Sequence, residues 1–439
     1  MAPADLSTTA QVRQQYELLP YPHRAPEDEA EGVVATTLDD LVKINHYCYR
    51  GRRDFSKDFR VLVAGGGTGD ATIYLAGQLR GTDAEIVHLD LSEASIEVAR
   101  ARARFHGLED RVCWQRGSLL DLPDRGLEPF DFIDCCGVLH HLEDPRQGLM
   151  ALRAVLNDDG AMALFVYGRY GRNSIYLMQE LMRIVNHDEH DRRVMVENAK
   201  ILLESLPPTH CHKASVDVPE DGQWDDAEIL DRYLHCRDRA YTVPELYDLL
   251  AGAGLNLVEF DRADRLLYCP EFAFSDPRIL AQVKKLSKPW QQGAAELFWT
   301  AISRHVFWAS PRSCSIADPA YPDNVPQWTP FSRTHSVQRS ILKEERDTWT
   351  FRVQRADGVR FNFRMELSGV VRRIIELLDG ERTIGEIVRA AAAGGEPALD
   401  VDMAWKAWLK IFGVLQSFDF ALLRHVSVPV FEQPVTRAG

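Results

Sequence analysis

The sequence predicts an α/β protein, in which a largely parallel sheet with crossover helices is joined to a smaller α+β unit. Short apolar runs alternate with helical stretches between residues 60 and 167, as in sheets whose parallel strands are connected by helices. A glycine-rich turn directly follows the first of these apolar runs. Beyond residue 348 a hairpin signature precedes three helical stretches. Together these features indicate two folded regions of different architecture.

Length and composition limit the class of protein. The chain has 439 residues, whereas single cores stop growing at roughly 250–300 residues. No stretch approaches the ~20 apolar residues of a membrane helix, and no basic-then-apolar leader opens the sequence, so we expect a cytoplasmic protein without a membrane partner. The eight cysteines form no CxxC pair and are interpreted as free thiols. A net charge of −14 argues against binding nucleic acid.

Composition and periodicity suggest four segments. We expect an N-terminal helical cap at residues 1–50 and a sheet domain at 51–275 with a helical insertion at 173–237. A helical extension and linker then occupies 276–325, and a winged-helix-like domain occupies 326–439. An insertion of this length after a central strand usually covers a site.

Each element has its own sequence signal. Short apolar runs predict strands at Val61–Ala64, Ile86–Leu89, Val112–Gln115, Phe132–Cys136, Ala161–Val166 and Leu255–Phe260. Helical periodicity predicts helices at Gln11–Leu19, Ala71–Leu79, Glu93–Phe105, Pro145–Val155 and Thr242–Ala253, with further helical stretches across 276–310. Strands Thr348–Val353 and Val359–Phe363 flank the turn Ala356-Asp357-Gly358, and helices follow at Gly369–Leu378, Ile384–Ala392 and Met403–Phe418.

The glycine-rich turn Gly65-Gly66-Gly67-Thr68-Gly69 lies between the first strand and a helix. Glycines there allow a tight turn and let a ligand approach the backbone. The amides at the start of the helix favour a carboxylate or a phosphate. By itself such a turn is compatible with a dinucleotide, with S-adenosylmethionine or with no ligand.

An acidic residue, Asp90, ends the second strand at the distance expected for a ribose ligand. A carboxylate there can accept hydrogen bonds from both ribose hydroxyls of an adenosine. This arrangement fits NAD as well as S-adenosylmethionine. The structural alternative is a cap for the helix that opens at Ser92.

Two later segments extend the pattern: Arg116-Gly-Ser-Leu-Leu-Asp121-Leu-Pro, and Phe130-Asp-Phe-Ile-Asp-Cys-Cys-Gly-Val-Leu-His140-His141-Leu. With the glycine turn, Asp158-Asp-Gly160 and Tyr241–Leu255, they resemble the class I S-adenosylmethionine-dependent methyltransferases across residues 55–265. The resemblance implies a Rossmann-like methyltransferase sheet. It also implies methyl transfer by in-line displacement, with S-adenosylmethionine as cofactor and S-adenosylhomocysteine as product.

The resemblance also assigns the cofactor contacts. The glycine turn would cradle the methionine part, Asp90 would hold the ribose, and Leu91 would pack on the adenine. The full set is Gly65, Gly66, Gly67, Thr68, Gly69, Asp90, Leu91, Ser118, Leu119, Cys136 and Gly137. The chain departs from the family at Val63 and Ser118, where an acid is usual, so a non-catalytic binding regulator stays an alternative.

The acceptor side is expected beyond the fourth and fifth strands. His140 and His141 are candidates to take a proton from the acceptor, or they only orient the loop. Tyr21, in a stretch that resembles a cap motif of some bacterial members, is a third catalytic candidate. Candidate substrate-binding residues are Tyr16, Tyr167, Arg169, Tyr170 and Arg172. The arginines and tyrosines after the fifth strand suit a carboxylate or phosphate clamp, or alternatively form a solvated loop.

These features support several functional hypotheses. The first is methyl transfer to a small polar metabolite. The second is a protein or peptide methyltransferase, because residues 365–388 resemble small winged-helix peptide-recognition domains, with a dimerisation module as the alternative. A homodimer is considered because the Trp and Phe residues of 289–308 suit a core or an interface. The His140-His141 string argues against an NAD-dependent enzyme. No metal site is expected, since His187/His190 and His210/His212 lack a zinc-ligand pattern.

Overall fold

In the computed structural model, residues 8–215, 224–355, 358–395, 399–431 and 433–437 are described. The chain forms two compact units. Unit 1 comprises residues 1–39, 55–312 and 432–439, and unit 2 comprises residues 40–54 and 313–431. These boundaries differ from the four segments suggested by the sequence, because each unit is completed by a segment that is distant along the chain.

The strands and helices follow the apolar pattern of the sequence, which changes between short apolar runs for strands and helical spacing for helices. The strands are β1 (Val33–Val34), β2 (Arg60–Ala64), β3 (Glu85–Asp90), β4 (Val112–Arg116), β5 (Phe130–Cys136), β6 (Leu156–Gly168), β7 (Ala240–Tyr241), β8 (Asn256–Phe260), β9 (Arg304–Ser310), β10 (Asn324–Trp328), β11 (Thr348–Gln354), β12 (Arg360–Glu366), β13 (Ala421–His425) and β14 (Thr436–Arg437). The helices are α1 (Thr8–Leu18), α2 (Leu41–Cys48), α3 (Asp70–Gln78), α4 (Glu93–Phe105), α5 (Pro145–Ala154), α6 (Asn173–Val185), α7 (Arg192–Ser205), α8 (Cys211–Ser215), α9 (Asp226–Tyr233), α10 (Val243–Ala251), α11 (Pro270–Ala273), α12 (Pro277–Val283), α13 (Lys288–Trp299), α14 (Pro330–Thr334), α15 (Val337–Leu342), α16 (Gly369–Leu377), α17 (Ile384–Ala393) and α18 (Val401–Ser417).

The main sheet of unit 1 has the strand order β4-β3-β2-β5-β6-β9-β8, and the short strand β7 also pairs with β6. The pairs from β4 to β6 are parallel, whereas β9 runs antiparallel to both β6 and β8. This confirms the predicted Rossmann-like sheet. Because the carboxyl ends of the parallel strands share one edge, the loops after β2, β3, β5 and β6 meet there.

The helical stretch expected at 276–310 is partly wrong. Residues 304–310 form β9, which lies between two other strands and contains the fully buried Trp308. A strand buried on both faces lacks the polar and apolar alternation of a half-buried strand, so periodicity does not distinguish it from a buried helix. On α13, by contrast, the aromatic side chains of Trp290 and Phe298 are exposed.

In its described part, the insertion after β6, expected at residues 173–237, contains the helices α6, α7, α8 and α9, while residues 216–223 lie outside the described residues. Helices α6, α7 and α9 share an apolar core that includes Met178, Val196, Leu203 and Ile229. This core holds the end of α9 in a fixed position. It thereby determines where the polar residues that follow α9 lie.

Unit 2 contains the predicted hairpin and helices. Strands β11 and β12 pair antiparallel, and the rings of Phe351 and Phe363 pack on Phe418. Ala356 and Asp357 of the expected turn lie outside the described residues. Helix α2 belongs to this unit rather than to an N-terminal cap, because His46 Nδ1 accepts a 3.0 Å hydrogen bond from the Leu423 amide.

Across the described ranges, no helix has both the length and the apolar character needed to cross a bilayer.

A fully buried guanidinium connects three parts of unit 1. Arg102 of α4 donates from Nε to Glu29 at 2.7 Å, and from Nη1 to the Thr68 carbonyl at 2.7 Å and to Asp70 at 2.8 Å. Its side chain and that of Glu29 are both fully buried. A buried charge is stable only when it is paired and hydrogen-bonded, so these contacts fix the turn after β2 relative to α4.

We expect Arg102→Leu to lower the free energy of unfolding by about 3–5 kcal/mol, because the buried carboxylate of Glu29 loses its main charge partner. Urea titration monitored by circular dichroism measures this change. The matched control is Arg104→Leu on the same helix, whose side chain is 65% exposed and pairs with Glu109 at the surface. Equal effects of the two substitutions would contradict the role assigned to Arg102.

Candidate functional site

The glycine turn after β2 is shaped for close backbone contacts. Gly65, Gly67 and Gly69 all have positive φ, and Gly66 and Thr68 complete the turn. A Cβ atom on Gly67 would lie 2.6 Å from the carbonyl oxygen of Tyr21. No L side chain fits there without moving the backbone, so the sequence requires glycine at this position.

Asp90 lies at the end of β3 beside this turn. Its Oδ2 accepts a 2.8 Å hydrogen bond from the Gly67 amide, and its Oδ1 accepts one of 2.8 Å from the Ser92 amide. No lysine or arginine among the described residues forms an ion pair with it. Burial raises the pKa of Asp90, while the backbone amides oppose that shift. The helix cap itself is Ser92, whose Oγ accepts from the Ser95 amide at 3.1 Å.

Residues 16–24, which we call the N-terminal strap, lie across the glycine turn. The Tyr16 carbonyl accepts a 3.1 Å hydrogen bond from Ser92 Oγ, and the Pro22 carbonyl accepts one of 2.8 Å from Thr68 Oγ1. Arg24 pairs with Asp70 at 2.8 Å. The strap therefore lies over the turn, in which Gly65, Gly66 and Gly67 stay partly exposed. Tyr21, in its centre, is half-buried.

A second group of polar residues surrounds Asp231, which is 5% exposed. Tyr16 donates to its Oδ1 at 2.7 Å, and Tyr167 of β6 donates to its Oδ2 at 3.2 Å. His141 Nε2 lies 3.9 Å from Oδ1. We call this group, together with the neighbouring His140 and His235, the Asp231 cluster.

The backbone of Arg237 fixes the tautomers of two imidazoles in the cluster. His141 Nδ1 lies 2.8 Å from the Arg237 carbonyl and must donate to it, which leaves Nε2 as an acceptor in the neutral ring. The Arg237 amide donates to His235 Nδ1 at 3.0 Å, so neutral His235 carries its proton on Nε2. The two rings stack with centroids 3.6 Å apart. His141 is thus the imidazole with a free acceptor nitrogen toward Asp231.

His140 differs from His141. It is fully buried, its ring lies 3.8 Å from that of Tyr167, and neither ring nitrogen has a well-formed hydrogen bond to a described residue. Burial, followed by the nearby charge of His141, lowers the pKa of His140 well below its usual range. This histidine stays neutral and packs the end of β6, so the geometry favours His141 as the proton acceptor.

The predicted arginines after β6 have separate environments. Arg172 is buried, donates to Asp238 at 2.7 Å and lies 3.4 Å from the centre of the Tyr167 ring. Arg169 is exposed and lies 3.6 Å from Glu245, and Tyr170 is half-buried. The structure therefore does not bring Arg169 and Arg172 together as a clamp.

The remaining predicted cofactor residues lie around the same edge of the sheet. Leu119 is buried, Leu91 is half-buried, and Ser118 Oγ accepts from the Leu120 amide at 3.1 Å. Cys136 Sγ donates to Asp134 at 3.0 Å. Next to it, Gly137 has φ of +80° and would place a Cβ 3.6 Å from the Phe165 ring.

Asp231, His235 and Asp238 are not predicted by any pattern in the sequence. They lie at the end of the insertion, and no motif links them to partners about 60 to 200 positions away. The atoms of His141, Asp231 and His235 that could bind a metal ion lie within 4.8 Å of one another. Nevertheless the two rings are stacked at 24°, and a single ion cannot lie in both ring planes unless one ring turns. The arrangement is therefore not a preformed metal site.

Gly67→Ala is expected to lower stability by at least about 1 kcal/mol and to increase hydrogen exchange in residues 16–24, because the new methyl group displaces the Tyr21 carbonyl. Gly107→Ala is the matched control, since Gly107 also has positive φ but has no atom within 4 Å of its Cβ position. Hydrogen exchange detected by mass spectrometry measures the exchange of residues 16–24 in both variants. The assignment is wrong if the control loosens the strap as much as Gly67→Ala does.

Known proteins match the part of the chain that contains the glycine turn, Asp90, His140 and His141. Residues 62–162 match the family model described as a methyltransferase domain. The chain is 34% identical over 240 residues to the protein syc1184_c of Synechococcus, covering 53% of this chain and 55% of that protein. It is 23% identical over 154 residues to the ubiquinone/menaquinone biosynthesis C-methyltransferase UbiE of Proteus mirabilis, covering 32% and 59%. The chain thus spans less than two thirds of either relative.

A solved structure supports the fold. PKMT2 from Rickettsia typhi, in complex with AdoHcy, superposes with a TM-score of 0.62 at 15% identity, covering 90% of this chain and 77% of that one. At this identity the likeness shows the fold alone. The resemblance drawn from the sequence is confirmed, and residues 62–162 form a methyltransferase domain of the class I fold. The winged-helix resemblance of unit 2 stays a prediction.

Proposed function

We propose that this chain, with its methyltransferase domain, transfers the methyl group of S-adenosylmethionine to a small polar acceptor. The observation that carries the proposal is the buried Asp90 carboxylate, which is hydrogen-bonded to the Gly67 amide and has no cationic partner in the described part of the chain. Such a carboxylate retains lone pairs for the two hydroxyls of a ribose. A ligand bound by Asp90 would lie beside the glycine turn, where the absence of side chains allows a close approach to the backbone.

The residues present fit this cofactor. Asp90 would hold the ribose, the glycine turn would let the methionine part lie close to the backbone, and Leu91 and Leu119 would offer apolar contacts to the adenine. When bound, S-adenosylmethionine supplies a methyl group on a sulfonium centre. The protein's part is to hold the acceptor in line, exclude water and receive a proton where the acceptor carries one.

The Asp231 cluster supplies the acceptor side. It lies beyond the carboxyl ends of β5 and β6, the edge at which ligands bind in open α/β sheets. His141 presents an unprotonated Nε2 there when neutral, because its Nδ1 proton is committed to the Arg237 carbonyl. The strap and the insertion cover this edge, and this enclosure favours a small acceptor over an extended surface.

Asp90→Asn tests the cofactor site. We expect the affinities for S-adenosylmethionine and S-adenosylhomocysteine, measured by calorimetry, to fall about 10- to 100-fold, as for the loss of hydrogen bonds to a charged group. NAD should not bind to either form. The control is Asp124→Asn, which changes an exposed acid between β4 and β5. This variant should bind the adenosyl ligands like the wild type. If the wild type binds neither adenosyl ligand, the proposal fails.

A peptide acceptor is the second candidate, and one observation favours it. Within the described part of unit 2, β11 and β12 pair only with each other, so the hairpin has open edges. An extended peptide can add a strand to such an edge.

Methyl-labelled S-adenosylmethionine distinguishes the two acceptor classes. The full chain is incubated with a metabolite fraction and, separately, with a peptide fraction, and label is counted in each. Label in small molecules supports the first proposal, and label confined to peptides supports the second. Cofactor binding without label in either fraction would instead indicate a regulator.

A further inference from the structure

We infer that the acceptor is an amine, which binds as an ammonium group against the carboxylate of Asp231. The inference rests on the proposed function, and it adds the chemical class of the acceptor. It is carried by the charge balance and the aromatic walls of the Asp231 cluster.

Asp231 and the neighbouring buried acid Asp238 differ in their charge balance. Asp238 is neutralised by Arg172 at 2.7 Å and also accepts from Tyr176 at 2.8 Å. Among the described residues, Asp231 has only the neutral hydroxyls of Tyr16 and Tyr167 as hydrogen-bond donors to its side chain, and its one ion-pair contact is His141 at 3.9 Å. An arginine, Arg172, thus lies beside the cluster, but it pairs with Asp238 and not with Asp231.

A carboxylate buried without a full cation is costly, because water no longer solvates it. A ligand that brings a positive charge removes that cost. A neutral alcohol removes it only in part, and a carboxylate ligand increases it. The cluster is therefore selective for a cation.

Aromatic rings surround the same carboxylate. The ring of Tyr16 lies 6.1 Å from that of His235, and the Tyr167 ring lies 5.8 Å from that of His141. The Phe165 ring lies 5.6 Å from that of Tyr167, and the Phe165 carbonyl accepts a 3.2 Å hydrogen bond from the amide of Gly137, just after β5. Ring faces attract ammonium groups and tolerate added methyl groups. Because Arg172 and His140 already lie against the Tyr167 ring, such a contact would come from the other rings.

The proton balance follows from the tautomer of His141. An ammonium acceptor R–NH3+ first gives one proton to His141 Nε2, which leaves a lone pair on nitrogen. The N–C bond then forms as the S–C bond of the methyl donor breaks, and the electron pair of that bond stays on sulfur. The product R–NH2–CH3+ again carries one positive charge beside Asp231, and His141 releases its proton to solvent.

The test uses the full chain saturated with S-adenosylhomocysteine and three probes of equal length: n-butylamine, n-butanol and butyrate. Calorimetry should show that the wild type binds n-butylamine at least about 10-fold more tightly than the other two probes. Asp231→Asn keeps an oxygen acceptor for one of the two tyrosines and should remove this preference, while its affinity for S-adenosylhomocysteine stays within about twofold. Asp226→Asn, an exposed acid of the same helix, should behave like the wild type.

Equal binding of the three probes by the wild type, or an undiminished amine preference in Asp231→Asn, would overturn the inference. Failure of the wild type to bind S-adenosylhomocysteine would instead remove the proposed function itself. Should Asp231→Asn not fold, the wild type alone decides the question. With labelled S-adenosylmethionine it should convert n-butylamine to N-methylbutylamine, whereas n-butanol should give no methyl ether by mass spectrometry.

Discussion

The buried guanidinium of Arg102 is the interaction on which the geometry of unit 1 depends. It connects Glu29, which follows the strap, with Thr68 and Asp70 at the end of the glycine turn. Arg24 of the strap pairs with the same Asp70. The turn, the strap and α4 are therefore held by one network of charges, and the position of the turn decides where the Gly67 amide meets Asp90.

The two halves of the site are built differently. The cofactor half consists of residues next to each other along two neighbouring parallel strands, β2 and β3, whose carboxyl ends coincide. The acceptor half brings together α1, the loop after β5, the end of β6 and the end of α9. Its residues meet only because the apolar core of the insertion places α9 over the sheet.

The acceptor half also shows how backbone groups control side-chain chemistry. The carbonyl and the amide of Arg237 bind two stacked imidazoles and give them opposite tautomers. Only the tautomer of His141 directs an acceptor nitrogen toward Asp231. The adjacent His140 is a neighbour in sequence, but it is buried among rings and its lowered pKa keeps it uncharged.

The sequence by itself determined the parallel part of the sheet, the glycine turn and Asp90, because these depend on local periodicity and on short spacings. The main errors at the level of the fold, β9 and α2, arose where an element is buried on both faces or completes a distant unit. Asp231, His235 and Asp238 were decided by the tertiary structure alone. Their partners lie on other elements, and no local pattern encodes which buried acid meets an arginine and which meets only hydroxyl groups.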